Sequence, residues 1–148
     1  MADKLDMNEV VAAVGDAVVA CDASGAIVLW NPAAERIFGF SAGEAIGQSL
    51  DIIIPDRQRG RHWDGYHKTM ATGTTRYGND VLRVPAITKS GGQLSIAFTV
   101  ALLYAADGKP GAIVSVIRDE TARFKADREL RARITELEAK LAANTRPA

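Results

Sequence analysis

The segment from Gln93 to Tyr104 alternates without a break. Leu94, Ile96, Phe98, Val100 and Leu102 fall on one side; Ser95, Ala97, Thr99 and Ala101 fall on the other. Successive strand residues point to opposite faces, so this pattern predicts a strand in a sheet with one well-packed side. The rest of the chain must supply neighbouring strands and a layer to cover that side.

Asp80 to Thr88 and Ala112 to Ile117 read as the neighbours. Lys89-Ser90-Gly91-Gly92 and Ala106-Asp107-Gly108-Lys109-Pro110 are the turns between them. Nearer the N-terminus, Ala17 to Cys21 and Ile27 to Trp30 read as a hairpin around Asp22-Ala23-Ser24-Gly25, where glycine supplies a positive φ at no steric cost. Between these two groups lie helical signals. Asn31-Pro32 is an N-cap followed by a proline at the first helical position. Ser41-Ala42-Gly43-Glu44 is a capping box. Leu50 to Ile54 is an apolar run closed by Pro55. Residues 56–72 form a longer helix, with Trp63, Tyr66, His67 and Met70 on one face by their three- and four-residue spacing.

Helices flank this body. Residues 1–14 suggest a short amphipathic helix through Leu5, Val10, Val11 and Val14. Residues 120–143 hold no Gly or Pro. There Leu130, Ile134, Leu137 and Leu141 follow a 4-3-4 spacing, the seam of a coiled coil over about two heptads. Asp127/Arg131, Glu129/Arg133 and Glu136/Lys140 each place an acid four residues before a base. Asn144 to Ala148 read as a frayed tail. Strands on both sides of a helical insert predict an α+β domain, with helices on one face of an antiparallel sheet. The division expected is 1–14 as flanking helix, 15–119 as the body and 120–148 as trailing helix and tail.

Composition narrows the classes. The 148 residues are 47% apolar and 24% charged, with 18 Lys+Arg against 18 Asp+Glu. Disorder and collagen-like repeats are excluded. A chain of this length buries roughly 70% of the surface its unfolded form exposes, so it folds without a metal or disulfide staple. Cys21 is the single cysteine, which rules out an internal disulfide and a Cys-rich zinc site and suits a reducing compartment. The polar, acidic N-terminus does not read as a secretory signal. The longest mostly apolar run, Ile96 to Ala106, falls short of the about 20 residues a spanning helix needs. Zero net charge gives no general attraction to nucleic acid or anionic membrane. The expected setting is the cytoplasm.

The order of these motifs resembles the PAS domain, a sensory module of bacterial signalling proteins. The resemblance rests on Asp22-x-x-Gly25-x-Ile27, Asn31-x-Ala33, Phe38-Gly39-x-Ser41, Glu44-x-x-Gly47, the Lys89–Gly92 turn, and Arg118-Asp119-Glu120-Thr121, which fits the family's closing Asp-x-Thr-type motif. It covers about residues 10–121. It implies a five-stranded antiparallel sheet in the order 2-1-5-4-3 and a pocket between sheet and helices.

Such a pocket has three candidate occupants. Residues 55–84 resemble haem-binding PAS oxygen sensors. When Tyr66 is set on the family's tyrosine, Arg83 falls on the distal arginine and Trp63 on the proximal histidine. Tryptophan cannot ligate iron, because its indole N–H only donates. His67, one turn on, or His62, one residue back, would then be the ligand. Flavin photochemistry would need a cysteine in a helix motif, whereas Cys21 sits on the first strand and reads as a small buried hydrophobe. Non-covalent flavin stays open. The third occupant is an apolar or aromatic metabolite among Ile52, Ile54, Trp63, Leu82, Ile96, Phe98 and Val114, oriented by Arg83 or Tyr66. The same side chains could instead fill the space and leave a protein-interaction module.

No catalytic constellation is present: neither Gly-x-Ser-x-Gly nor a phosphate-binding glycine loop nor His-Glu-x-x-His. Arg57, Arg59, Arg61 and Lys68 cluster with Asp56 and Asp64 and read as a solvated helix face, not a nucleic-acid site. The expectation is a non-enzymatic sensory module that forms a homodimer through its trailing helix. It would relay a small-molecule or redox signal to a partner protein.

Overall fold

The computed structural model of the chain describes residues 4–75 and 78–145. The elements are α1 (Met7–Ala13), β1 (Ala17–Asp22), β2 (Ile27–Trp30), α2 (Pro32–Phe38), α3 (Ala42–Ala45), a 3-10 turn (Leu50–Ile53), α4 (Asp56–Thr72), β3 (Leu82–Ile87), β4 (Gln93–Tyr104), β5 (Pro110–Asp119) and α5 (Thr121–Thr145). The sheet order is β2-β1-β5-β4-β3, with every pairing antiparallel. This is the α+β architecture and strand order that the motifs implied.

Register decides which residues share a face. Phe98 pairs with Leu82 on β3 and with Ile117 on β5. Ile117 pairs in turn with Ala17 on β1. On this side Ala17, Val19, Cys21, Trp30, Ile96 and Ile117 pack against Ala34, Phe38, Ile53 and Tyr66 from the helical layer. Phe38 and Ile27 are fully buried, each contributing about 1.5–3 kcal/mol relative to an exposed side chain.

Asn31 joins three elements. Its side-chain oxygen accepts from Ala34 N at 3.0 Å, capping α2, and from Val18 N at 2.9 Å on β1. Its amide nitrogen donates to the carbonyls of Val11 at 3.0 Å and Asp16 at 3.1 Å. The residue is 3% exposed, and burial at that level requires such partners.

The reciprocal Ser41–Glu44 capping box forms as the sequence predicts. Lys89, from the β3–β4 turn, adds an ion pair to Glu44. Lys89 and the Ser41 backbone N–H together hold the Glu44 carboxyl down to about 2. The Leu50–Ile54 run becomes a 3-10 turn capped by Ser49. β3 starts two residues later than the sequence suggested, because a turn at Gly78 and Asn79 is followed by Asp80 and Val81 outside the strand ladder. β5 runs longer at both ends, since it lies between β1 and β4 and is paired on both sides.

At the end of β5 the Asp119 carboxylate accepts from Thr121 N at 3.0 Å, and the Thr121 hydroxyl accepts from Ser95 N at 3.1 Å. This fixes the exit of α5. Every residue of α5 beyond Thr121 is exposed. Thr145 is still helical, so the helix runs into the expected tail; residues 146–148 of that tail lie outside the described residues. Of the three acid-before-base pairs, only Glu136–Lys140 closes, at 3.1 Å. Arg133 turns forward to Glu136 instead, at 3.2 Å. On an exposed helix such alternatives differ by only a few tenths of a kcal/mol.

Candidate functional site

The side chains singled out by sequence converge on α4 and the β1–β2 turn beneath it. Tyr66 is buried, and its hydroxyl donates to the carbonyl oxygen of Asp22. Burial pushes the phenol well above its ordinary range, with Cys21 and Asp22 adding to the shift. One turn earlier, Trp63 donates its indole N–H to an Asp51 carboxylate oxygen at 2.7 Å. The Trp63 ring lies over Gly25, where an added Cβ would come within 2.4 Å of it. Gly25 sits at φ +89°, a region that disfavours other residues. The Asp22 carboxylate closes the turn by accepting from Ser24 Oγ at 2.7 Å, Ser24 N at 2.9 Å and Ala26 N at 3.1 Å. Those bonds, the Ser24 hydroxyl foremost, lower its pKa.

Arg59 ties the start of α4 to the 3-10 turn. It donates to the carbonyls of Ile54 at 3.0 Å and Asp51 at 3.1 Å, and pairs with Asp56 at 2.8 Å. The expected solvated basic face is therefore partly an anchoring device. His62 packs edge-on to Trp63, with ring centroids 4.6 Å apart. Its Nδ1 is buried with no hydrogen-bond partner. Burial lowers its pKa, opposed in part by Asp51.

Other candidates divide between the faces. Met70 and Phe98 are half-buried against the core, with Ile96 inside it. Leu82 is half-buried opposite Phe98. His67 shares the aromatic cluster, 6.1 Å from the Trp63 ring, but is exposed. Arg83 pairs with Ala97, one step out of phase with Leu82, and Val114 pairs with Ala101 and Ala20. Both therefore lie on the sheet face away from Tyr66, because strand side chains alternate. Arg83 is 3.7 Å from Glu120 at the head of α5. Sequence reasoning placed these two in the pocket because short apolar runs leave the strand phase open, and only pairing fixes it. It missed Asp51 and Gly25 as the seat of Trp63; the turn glycine was visible, but its partner was not.

Two surface hollows lie outside the space between α4 and the sheet. One of about 550 Å³ sits between the end of α2 and the β3–β4 turn, beside Arg36, Phe38 and Lys89. The other, of about 900 Å³, lies between the head of α5 and the adjoining strands β3 and β4. Beneath α4, Tyr66, Ile53, Ile96 and Phe98 pack together.

A family model described as the PAS fold matches residues 5–119. The chain belongs to the PAS family. Such domains are sensory modules typical of signal transduction. The sensor protein FixL of Bradyrhizobium diazoefficiens is 42% identical over 60 residues, 40% of this chain and 12% of that protein. An uncharacterized protein of Azorhizobium caulinodans is 36% identical over 86 residues, 57% of this chain and again 12% of the relative. The PAS chain thus matches only about an eighth of those relatives' lengths. Among solved structures, the PAS domain of a Colwellia psychrerythraea protein superposes with TM-score 0.68 at 21% identity, covering 78% of this chain and 95% of that one. A sensory box histidine kinase/response regulator from Burkholderia thailandensis gives 0.64 at 20% identity, covering 90% and 98%. An RNA-binding light-oxygen-voltage receptor gives 0.68 at 17% identity, covering 92% of this chain and 38% of that one. At these identities the structural likeness establishes the fold.

The haem arrangement implied by the sequence resemblance needs an imidazole and Arg83 on one pocket. The described residues of this PAS domain do not assemble it. His67 is exposed, Arg83 is across the sheet, and His62 is wedged against Trp63. They do not fit a haem held in that manner. Cys21 does not fit thiol–flavin chemistry either. It is buried on β1, and burial, aided by Asp22, pushes its thiol up to about 12. Among the described residues, no helix is long and apolar enough to cross a membrane, and no group of three or more His, Cys, Asp or Glu is placed to hold a metal.

Proposed function

We propose that the chain is a non-enzymatic sensory module that dimerises through α5 and relays a small-molecule or redox signal along that helix to a partner or effector protein. The division into a flanking segment (1–14), a sensing body (15–119) and an output segment (120–148) belongs to the same reading. The observation that carries it is the seam of α5. Leu130, Ile134, Leu137 and Leu141 are 48–65% exposed and lie on one face. Four large apolar side chains at a–d spacing gain little from water and much from a second helix. The input end is the α4 site of Trp63, Tyr66, His67, Met70, Leu82, Ile96 and Phe98. A change there reaches α5 through β4 and β5, because Ile96 pairs with Asp119 and Glu120 N donates to the Ser95 carbonyl at 2.8 Å.

Sedimentation of the full chain against a chain ending at Asp119 tests the dimer. The expected result is a dimer that becomes a monomer on truncation. A monomer in both cases refutes it. The packed interior under α4 favours a second reading, a ligand-free interaction module that dimerises in the same way. An absorbance spectrum of the purified protein, before and after addition of haem or flavin, separates the two. Chromophore bands support a cofactor-based input; their absence favours the ligand-free module or a colourless ligand.

A further inference from the structure

We propose that the groove between the head of α5 and strands β3 and β4 is a docking site for an acidic amphipathic helix of a partner protein. The groove holds about 900 Å³ and is lined by Arg83, Arg123, Lys125, Arg128 and Arg131, with Glu120 and Asp127 as the opposing charges. The chain as a whole is neutral, so this is a local excess of three positive charges.

Those cations are poorly satisfied within the chain. Arg83 and Arg123 both turn to the single carboxylate of Glu120, at 3.7 and 3.8 Å, beyond ordinary hydrogen-bond length. Among the described residues, no carboxylate pairs with Arg128 or Arg131. Arg128 lies over the Phe124 ring, 5.9 Å from its centroid. Guanidinium groups carry forked donors that match carboxylates.

The groove also has apolar contacts to offer. Phe124 is 49% exposed, and Pro85, in phase with Arg83 on β3, is half-buried in the lining. Phe124, Arg128 and Arg131 are spaced i, i+4, i+7 and share one face of α5. Cations beside an apolar strip complement a helix with Glu or Asp along one side and leucine-like residues along the next.

The edge of the sheet argues against an extended occupant. β3 is an outer strand. Pro85 pairs with Ser95, whose backbone N–H and C=O engage Thr121 and Glu120 on the other side. In an antiparallel pair of that kind, the backbone of Pro85 faces the free edge. Proline has no N–H to donate there, so an added strand would lose a bond at the middle of β3.

The test titrates the full chain with three fluorescent 15-residue peptides. One has leucine on one helical face and glutamate on the other. The second replaces glutamate with lysine. The third keeps the glutamates and carries a central proline. Expected are binding of the first peptide, at least tenfold weaker binding of the other two, and at least tenfold loss for the first in R128E/R131E. Both substitutions lie on an exposed helix face, so the fold is retained. Equal binding of the glutamate and lysine peptides, or no effect of R128E/R131E, overturns the proposal. Equal binding of the proline peptide overturns the helical occupant. Sedimentation of R128E/R131E completes it: a dimer lost in that variant alone would mean that a second copy fills the groove, which also overturns it.

Discussion

Trp63 rests on Gly25, and the backbone there has room for no side chain. The ring would lie 2.4 Å from a Cβ built on Gly25, and that residue's φ is +89°. Gly25→Ala therefore meets two penalties, left-handed strain and a displaced indole. The expected loss is about 2–4 kcal/mol in urea denaturation. In the Trp63→Leu background it should fall by about 1 kcal/mol or more, because only the strain remains. Equal losses in both backgrounds would show that the ring contact contributes nothing.

Asn31 makes the second stringent site. Asn31→Ala strands Val18 N–H, Ala34 N–H and two carbonyls that the amide now serves. Leaving buried groups unsatisfied costs about 1–3 kcal/mol each where water cannot reach them. A loss of about 3 kcal/mol is expected. Asn31→Asp keeps the acceptor and loses the donors. Its damage should therefore concentrate on the Val11 and Asp16 contacts, read as faster amide exchange in α1 with α2 protected. Uniform loss of protection would contradict that division.

What was legible in the sequence follows from the range of each signal. The β4 alternation, the Ser41–Glu44 cap and the Asn31-Pro32 start are local, and each formed where its residues stand. The 56–72 helix was likewise bounded by Pro55 and Gly73, which closes α4 at φ +69°. Strand phase is not local. Arg83 and Val114 sat in apolar or mixed runs whose two faces cannot be told apart until Ala97 and Ala101 are set opposite them. The site was legible to the same degree. Tyr66 and Trp63 stood out as large residues on one helical face, but Asp51, Asp22 and Gly25 are brought to them only by tertiary packing. The basic groove escaped notice because Arg131 was assigned to an i,i+4 pair with Asp127 that the helix does not close, and Arg83 to the pocket on the other face.

His62 carries a pH dependence with a defined sign. Burial lowers its pKa from 6.5 in the folded chain, so the unfolded chain binds the proton more readily. Above 6.5 both states are neutral and the fold bears no penalty. As pH falls below 6.5 the unfolded chain charges first, and stability declines until the folded-state pKa is passed. The groups around this ring are Asp51 on the 3-10 turn and, on α4, Trp63 and Tyr66. The urea midpoint should drop between pH 7 and 5, and His62→Phe should flatten that slope. An unchanged slope in His62→Phe would assign the effect to other groups.

Cys21 provides a probe of opening. Its thiol is buried on β1 at 3% exposure, and burial with the adjacent Asp22 pushes it up to about 12. Thiolate is the reactive form, so both access and ionisation are withheld in the native state. Alkylation by iodoacetamide at pH 8 should be at least a hundredfold slower than for the same chain in 8 M urea. Trp63→Ala removes the ring over the β1–β2 turn and the bond to Asp51 that helps hold α4 down. It should raise the native rate by making local opening cheaper. Full native reactivity in the unsubstituted chain would show that α4 and the sheet part readily without it.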